Sequence, residues 1–344
     1  MTMKAPETRF FCFFHKESSL APKPILTCPF FFINILIIMI DLKAKFLGGM
    51  VGSAIGDAIG ELAFMSPERG PLTSILKSLS ELCYTDDTAM AIGLAESIIE
   101  RGRIDQEEMG ERFSRNYTSE PWRGYASGPP TIFKLVQLRG IPFTEAARRL
   151  FGGRGSFGNG AAMRIVPVGL FFHHVQDLYE QACASAEITH AHPVGMDGAA
   201  VQAKAIALAV TLDPNEAFSP DAFIHDLIDF ARTPEIQTKM RLVQTLISDG
   251  VSPEKAAVRL GRSVAVQESM PFAIYCFLNH PRSFEECLLC AVLHGGDRDT
   301  LGAMACAVSG AYLGIDAIPR HWRQNLENRT SIKHLALELL RKGF

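Results

Sequence analysis

Residues 84–101, YTDDTAMAIGLAESIIER, decide the fold. Met90, Leu94 and Ile98 recur at i, i+4 and i+8, an apolar stripe of helical period. The stretch GGDRDTLGAMACAVSGAYLG at 295–314 repeats the arrangement near the other end of the chain: acids and a hydroxyl first, then a long run of small and apolar residues. Further helices are expected over 196–212 (MDGAAVQAKAIALAVTL) and 331–341 (SIKHLALELLR). No run alternates with period two between turn dipeptides, and the one extended-looking segment, 163–172, is interrupted by Pro167. The expectation is an all-α single domain over residues 41–344, with no linker and no fixed-period repeat.

The chain has 344 residues, 47% of them hydrophobic and 21% charged, so a sizeable core can form and a disordered chain is excluded. The net charge of -3 argues against direct nucleic-acid binding. Eight irregularly spaced cysteines do not make a disulfide scaffold and point to a reducing compartment, the cytoplasm. Residues 1–40 differ from the rest: Phe10–Phe14 is aromatic, and 25–40 (ILTCPFFFINILIIMI) is almost wholly apolar. A membrane helix needs ~20 apolar residues, and this run is shorter and broken by Pro29 and Asn34. No small-residue cleavage site follows it. Three readings stay open: a start codon at or near Met39, a membrane-tethering or signal segment, or a structured extension. Only the second implies a membrane.

Thr85-Asp86-Asp87-Thr88 and Asp297-Arg298-Asp299-Thr300 each open an apolar helix. Acids and hydroxyls cap helix N-termini well. One such residue suffices for a cap, however, and each cluster supplies several. Four carboxylates converging at buried helix starts repel one another unless protonated or neutralised by cations. Hard cations such as Mg²⁺ take carboxylate, hydroxyl and water oxygens. Two independent caps and one two-metal site both fit this pattern.

Gly48, Gly52, Gly56 and Gly60 recur every fourth position, which predicts close approach of a second helix. Gly152–Gly160 (GGRGSFGNG) contains G-x-G-x-x-G with Asp177 beyond it, but the residues before it, 144–150, read as helix. A dinucleotide fold is therefore rejected. A glycine-rich loop that cradles a pyrophosphate remains, beside an ordinary flexible connection. Cys287-x-x-Cys290 reads as core, since no second pair accompanies it. His190-Ala-His192 reads as structural or substrate-contacting. Ser156 lacks the G-x-S-x-G context of a nucleophile. His173-His174 reads as a surface pair.

Taken in order, GGMVGSAIGDAIG (48–60), YTDDTAMA (84–91), GSFGNGAAMR (155–164), ITHAHPVG (188–195) and GGDRDTLGAMACAVSGAYLG (295–314) resemble the ADP-ribosylglycohydrolase family, which includes the dinitrogenase-reductase-activating glycohydrolase. RGYASGPPTIFK (123–134) and ESMPFAIYCFL (268–278) look most like the branch that cleaves ADP-ribosyl-serine, poly(ADP-ribose) and O-acetyl-ADP-ribose. The resemblance implies an orthogonal all-α bundle holding two Mg²⁺ ions. It implies metal ligation by Thr85, Asp86, Asp87, Asp297, Asp299 and Thr300, with Asp86 also at the substrate. It implies phosphate and ribose contacts from Arg154, Gly155, Ser156, Phe157, Gly158, Asn159, Gly160 and His190, and an adenosine side lined by Phe151 and Ile274. The implied partner is an ADP-ribosylated protein or an ADP-ribose-containing small molecule, met by a monomer.

Three positions depart from the family pattern. Arg298 stands where the branch has Thr, and Phe157 where it has Tyr. Phe64 stands where the family places an acid, four residues after the glycine of GDxxG. Glu61 and Glu68 are the nearest carboxylates, and Glu61 is expected to take that role if the helix unwinds after Gly60. The implied reaction is hydrolysis at C1″ of ADP-ribose through an oxocarbenium-like transition state, with Asp87 or Asp299 assisting deprotonation of water. A non-catalytic ADP-ribose-binding relative and a Mg²⁺-dependent phosphoester hydrolase are the alternatives.

Overall fold

The structure, a computed structural model, describes the backbone of residues 29–343 and the side chains of 42–343. Contacts divide the chain into residues 1–38 and 39–344. Of the apolar extension, 1–28 lies outside the described residues, the Phe10–Phe14 cluster included, and 29–40 is described only as helical backbone. Among the described residues no helix is long and apolar enough to cross a membrane.

The described residues form nineteen α-helices and one short 3-10 turn. Strand-like pairing among them is limited to two isolated bridges, Leu82 with Leu326 and Gly158 with Ala265. The expected helices are present as Asp86–Arg101, Pro193–Thr211, Arg298–Leu313 and Arg329–Gly343. The segment around Pro167 is helical, Val166–Phe171, with the proline in the first turn. There a missing N–H costs no hydrogen bond.

Residues 48–60 of the Pro29–Met65 helix lie antiparallel against the Arg298–Leu313 helix, and the fourfold glycine spacing is the reason they can meet. A methyl group on Gly48 would sit 2.1 Å from the Gly310 carbonyl oxygen, and one on Gly56 2.1 Å from that of Gly302. The relation is reciprocal, since a methyl on Gly302 would sit 2.2 Å from the Gly56 oxygen. Backbone thus meets backbone with no side chain between, as small-residue stripes permit. At the end of the stripe Gly60 faces Arg298 and Asp299, where a Cβ would stand 2.5 Å from the Asp299 Cα.

That contact corrects one expectation. The helix does not unwind after Gly60; it continues to Met65 and leaves Glu61 exposed. Gly60 is small because Asp299 is packed on it, not because the chain turns there. Phe64 is 46% exposed, and Glu68 stands exposed at the N-cap of the Arg69–Ser78 helix.

Candidate active site

Two helices begin at the same place in space. The Asp86–Arg101 and Arg298–Leu313 helices both start at the wall of a cavity of about 540 Å³. Asp86, Asp87, Asp297, Asp299 and Thr300 line it, together with Phe151, Arg154 through Gly160, and His190. The sequence motifs separated by some two hundred residues therefore share one cleft. Thr300 Oγ1 lies 3.4 Å from Asp87 Oδ2, joining the two helix starts directly.

The first N–H groups of the Asp86–Arg101 helix are served mainly from another helix. Thr85 is the N-cap of the Asp86 helix yet makes no side-chain cap bond. The capping is done from another helix. Asp57, wholly buried, accepts from Thr85 N at 3.0 Å, Thr88 N at 3.0 Å, Thr85 Oγ1 at 2.7 Å and Thr88 Oγ1 at 2.6 Å. A single carboxylate on the glycine-striped helix thus satisfies the orphan donors that Asp86 and Asp87 would otherwise serve. Asp297, the N-cap of the Arg298 helix, likewise makes no cap bond; its Oδ2 accepts from Asn159 Nδ2 at 2.7 Å. Asp299 Oδ1 accepts from the adjacent Thr300 N at 2.9 Å.

The electrostatics follow from this freedom. Burial pushes the Asp86 carboxyl up to about 7, reinforced by repulsion from Asp57 and Asp297. Burial does the same to Asp299, up to about 8, with Asp297 and Asp57 adding to it. Asp87 is raised well above the carboxylate range by burial and by Asp57, Asp299 and Asp86. Asp57 is raised by burial to about 6 against its four hydrogen bonds. Asp87 Oδ1 is buried with no partner at all.

As the side chains stand, no group of three or more His, Cys, Asp or Glu among the described residues is gathered closely enough to hold a metal ion. Yet an orphaned carboxylate oxygen, mutually repelling acids and a hydroxyl at the same wall form the donor set that suits a hard divalent cation. Thr85 stands next to the lining residues, its hydroxyl proton committed to Asp57.

The glycine-rich loop forms another part of the lining, tied by hydrogen bonds to the 264–266 segment. Asn159 N donates to Val264 O at 2.9 Å and Val266 N to Phe157 O at 3.1 Å. Gly155 has φ +72, and a Cβ there would strike His192 N at 2.8 Å. Two of the amides expected to cradle phosphate are already committed: Gly155 N to Leu150 O and Gly158 N to Ser156 Oγ. What this wall offers outward is Arg154, which is exposed, and His190. Phe151 sits in the left-handed region at φ +51, rare for a bulky side chain, and is 60% exposed into the cleft. Phe157 is 47% exposed and meets the His192 ring edge-on at 5.4 Å.

His190 is set by a relay the sequence did not show. Arg164, completely buried, donates to Thr189 Oγ1 at 2.7 Å and lies over the Phe113 ring at 5.0 Å. Thr189 Oγ1 lies 2.8 Å from His190 Nδ1. The same hydroxyl lies 3.4 Å from the Ala186 carbonyl oxygen, so ring and carbonyl share it. Burial, with the Arg164 charge nearby, lowers His190 to about 3, so the ring is neutral at physiological pH. Burial also lowers Arg164 to about 9. Gly160 gives the ring room: a Cβ there would come within 2.8 Å of it.

Two site expectations are not met by the placement. Ile274 is fully buried in the Val266–Asn279 helix and does not line the cavity. Glu61 is outside it as well, for the packing reason given above. His192 serves as N-cap, its Nδ1 accepting from Val194 N at 3.2 Å. Cys287 and Cys290 are core residues of the Phe284–Leu293 helix. His173 is half-buried, its Nδ1 2.7 Å from Leu170 O. Asp57 and Arg164 lay within motifs read from the sequence without an assigned role. The only signal for Asp57 was a lone acid inside an apolar glycine-spaced helix.

Comparison with known proteins gives the class to which this all-α bundle and its acid-lined cleft belong. A family model described as ADP-ribosylglycohydrolase matches residues 39–343. The chain is 33% identical over 341 residues to ADP-ribosylhydrolase ARH3 of Bos taurus, covering 87% of this chain and 93% of the relative. The Danio rerio ARH3 is 33% identical over 338 residues, with 87% and 90% covered. An uncharacterized protein of Archaeoglobus fulgidus is 32% identical over 314 residues, with 87% and 96% covered. A solved ADP-ribosylglycohydrolase-related protein complex shares the fold at TM-score 0.67 and 24% identity, over 88% of this chain and 99% of that one. The chain belongs to the ADP-ribosylglycohydrolase family, a family of glycosidic-bond hydrolases, and within it is similar to the ARH3 proteins.

Proposed function

We propose that this chain hydrolyses the C1″ bond of ADP-ribosyl groups in a Mg²⁺-dependent reaction, releasing ADP-ribose. The observation that carries the reading is the set of four acids that face one cleft while Asp57 serves the Thr85 and Thr88 amides, with Asp87 Oδ1 buried and unpartnered. Asp86, Asp87, Asp297, Asp299, Thr85 and Thr300 would hold two Mg²⁺ ions. Such ions, when bound, supply Lewis-acid contacts to ribose hydroxyls and acidify a water.

The remaining roles belong to the chain. Asn159 fixes the Asp297 carboxylate through its amide. His190 and Arg154, which line the cleft beside the glycine-rich loop, contact the pyrophosphate and its ribose. Phe151 and Phe157 offer exposed rings to the adenine. Asp87 or Asp299, carboxylates at the cleft wall, takes the proton of the attacking water. Positive charge developing at C1″ is stabilised by the surrounding acids.

An ADP-ribosylated protein or an ADP-ribose-containing small molecule is the substrate, taken up by a monomer. The cysteines among the described residues are all free thiols, which supports a reducing, cytoplasmic setting. The test is a panel of serine-ADP-ribosylated peptide, arginine-ADP-ribosylated peptide, poly(ADP-ribose) and O-acetyl-ADP-ribose, with Mg²⁺ or chelator. Free ADP-ribose formed only with Mg²⁺ supports the proposal. AMP plus ribose-5-phosphate would redirect it to phosphoester cleavage, and tight ADP-ribose binding without turnover to a non-catalytic role.

A further inference from the structure

Outside the cleft, one cluster of charges acts on the residues just before the first acid pair. Arg123 and Glu327 form an ion pair, and between them they take up both peptide groups of Tyr84. Tyr84 N donates to Glu327 Oε1 at 2.8 Å, and Arg123 Nη1 donates to Tyr84 O at 2.9 Å as well as to Glu327. The Arg123 carbonyl in turn accepts from Asp86 N at 2.7 Å. The guanidinium lies 4.2 Å from the Tyr84 ring centroid, and Glu120 receives its other arm at 3.0 Å. Glu327 is itself fixed: Glu327 N donates to Leu82 O at 3.0 Å and Leu82 N to Asn325 O at 2.8 Å. Three segments distant in sequence, 82–86, 120–124 and 325–328, are thereby tied into one buckle. The same loop places Gly124, at φ +92, beside Asp86, where a Cβ would stand 3.7 Å from its Oδ1.

We propose that the Arg123–Glu327 pair is a positioning device for the proposed active site, fixing the register of Tyr84–Asp87 so that Asp86 and Asp87 face Asp297 and Asp299. It rests on the function proposed above for its catalytic consequence, but not for its structural one. The Asp86 helix receives its capping from Asp57 at Thr85 and Thr88, whereas the Asp86 amide is held across the fold by the Arg123 carbonyl. A planar, multiply donating guanidinium can serve Tyr84 O, Glu327 and Glu120 at once; an ammonium cannot reproduce that fork. Partners one shell out from a reactive group typically alter affinity or activity by ~10–100-fold when removed.

The experiment compares Glu327→Ala, Glu327→Gln and Arg123→Lys in the full chain. Glu327→Gln retains an oxygen acceptor for Tyr84 N; Glu327→Ala removes it. Two quantities are read: amide hydrogen exchange of the peptide spanning residues 84–87, which needs no metal or substrate, and kcat and KM for the substrate the parent turns over. Glu327→Ala and Arg123→Lys are expected to speed exchange at 84–87 at least tenfold while the interior of the Asp86 helix stays protected. Both are expected to lower kcat about tenfold or more with KM within about twofold, and Glu327→Gln to stay within about threefold of the parent in both measurements. Unchanged exchange in Glu327→Ala and Arg123→Lys overturns the proposal. So does faster exchange with full kcat, or Glu327→Gln failing as badly as Glu327→Ala. A parent without ADP-ribosyl turnover sinks the proposed function, and the exchange measurement still decides whether the buckle holds these residues.

Discussion

At the residue scale the acids divide by what they touch. Asp57 is spent on four hydrogen bonds to a helix start, and Asp87 keeps an oxygen with no partner. Asp299→Ala is therefore expected to abolish turnover and most of any Mg²⁺-induced rise in Tm, measured by calorimetry with and without the metal. Full retention of both would show the cation site to be elsewhere. Glu61 now carries the opposite expectation. Losing a general acid–base group costs ~10²–10⁴-fold, but an exposed carboxylate outside the cleft should cost little. Glu61→Gln is expected to keep kcat within a few-fold of the parent; a hundredfold loss would mean that this helix end rearranges in the working enzyme. Gly160→Ala should press on the His190 ring, weakening ADP-ribose binding about tenfold, the worth of one charged hydrogen bond, while Tm barely moves. Isothermal titration separates the two.

At the element scale the glycine stripe decides where the acids stand. The Arg298 helix carries Asp299 in its first turn, and that turn lies on Gly60. Any side chain along the stripe must part the two helices, because what it meets is backbone and not the end of a side chain. Gly56→Ala is expected to destabilise the fold by about 1–3 kcal/mol. It should also lower turnover by shifting Asp297 and Asp299 away from Asp86 and Asp87. Gly70 in the Arg69–Ser78 helix provides the control: nothing lies within 4 Å of its would-be Cβ. Gly70→Ala should stabilise by about 0.5–1 kcal/mol. Chemical denaturation of the two variants beside the parent gives both signs in one experiment.

At the scale of the whole molecule, gathering these acids makes stability depend on pH in an unusual direction. Asp86 and Asp299 titrate near 7 and 8 in the folded, metal-free chain, and Asp87 is raised as well, against 3.8 when exposed. The folded state then holds more protons than the unfolded one between those values, so stability falls as pH rises from about 4 to about 8. Cations bind the ionised acids and offset that loss. In chelator, Tm should decline across this window, and the increment on adding Mg²⁺ should grow with pH. A flat or rising Tm in chelator would show that the acids do not share one poorly solvated wall.

The sequence by itself determined the helices, the small-residue face and the order of the motifs, because each depends on spacing within one segment. Met90, Leu94 and Ile98 mark a helix whatever surrounds them, and Gly48 to Gly60 mark a face that must meet backbone. It could not say which helix that face meets, or whether Asp86 and Asp87 cap their own helix. Both depend on residues far away in the chain. Asp57 supplies the cap from across the core, and the Arg298 helix fills the glycine face. The same distance hid Arg123 and Glu327, which look like surface charges until the fold brings them to Tyr84. Local periodicity is written in neighbouring residues, whereas the satisfaction of a buried polar group is settled only when distant segments meet.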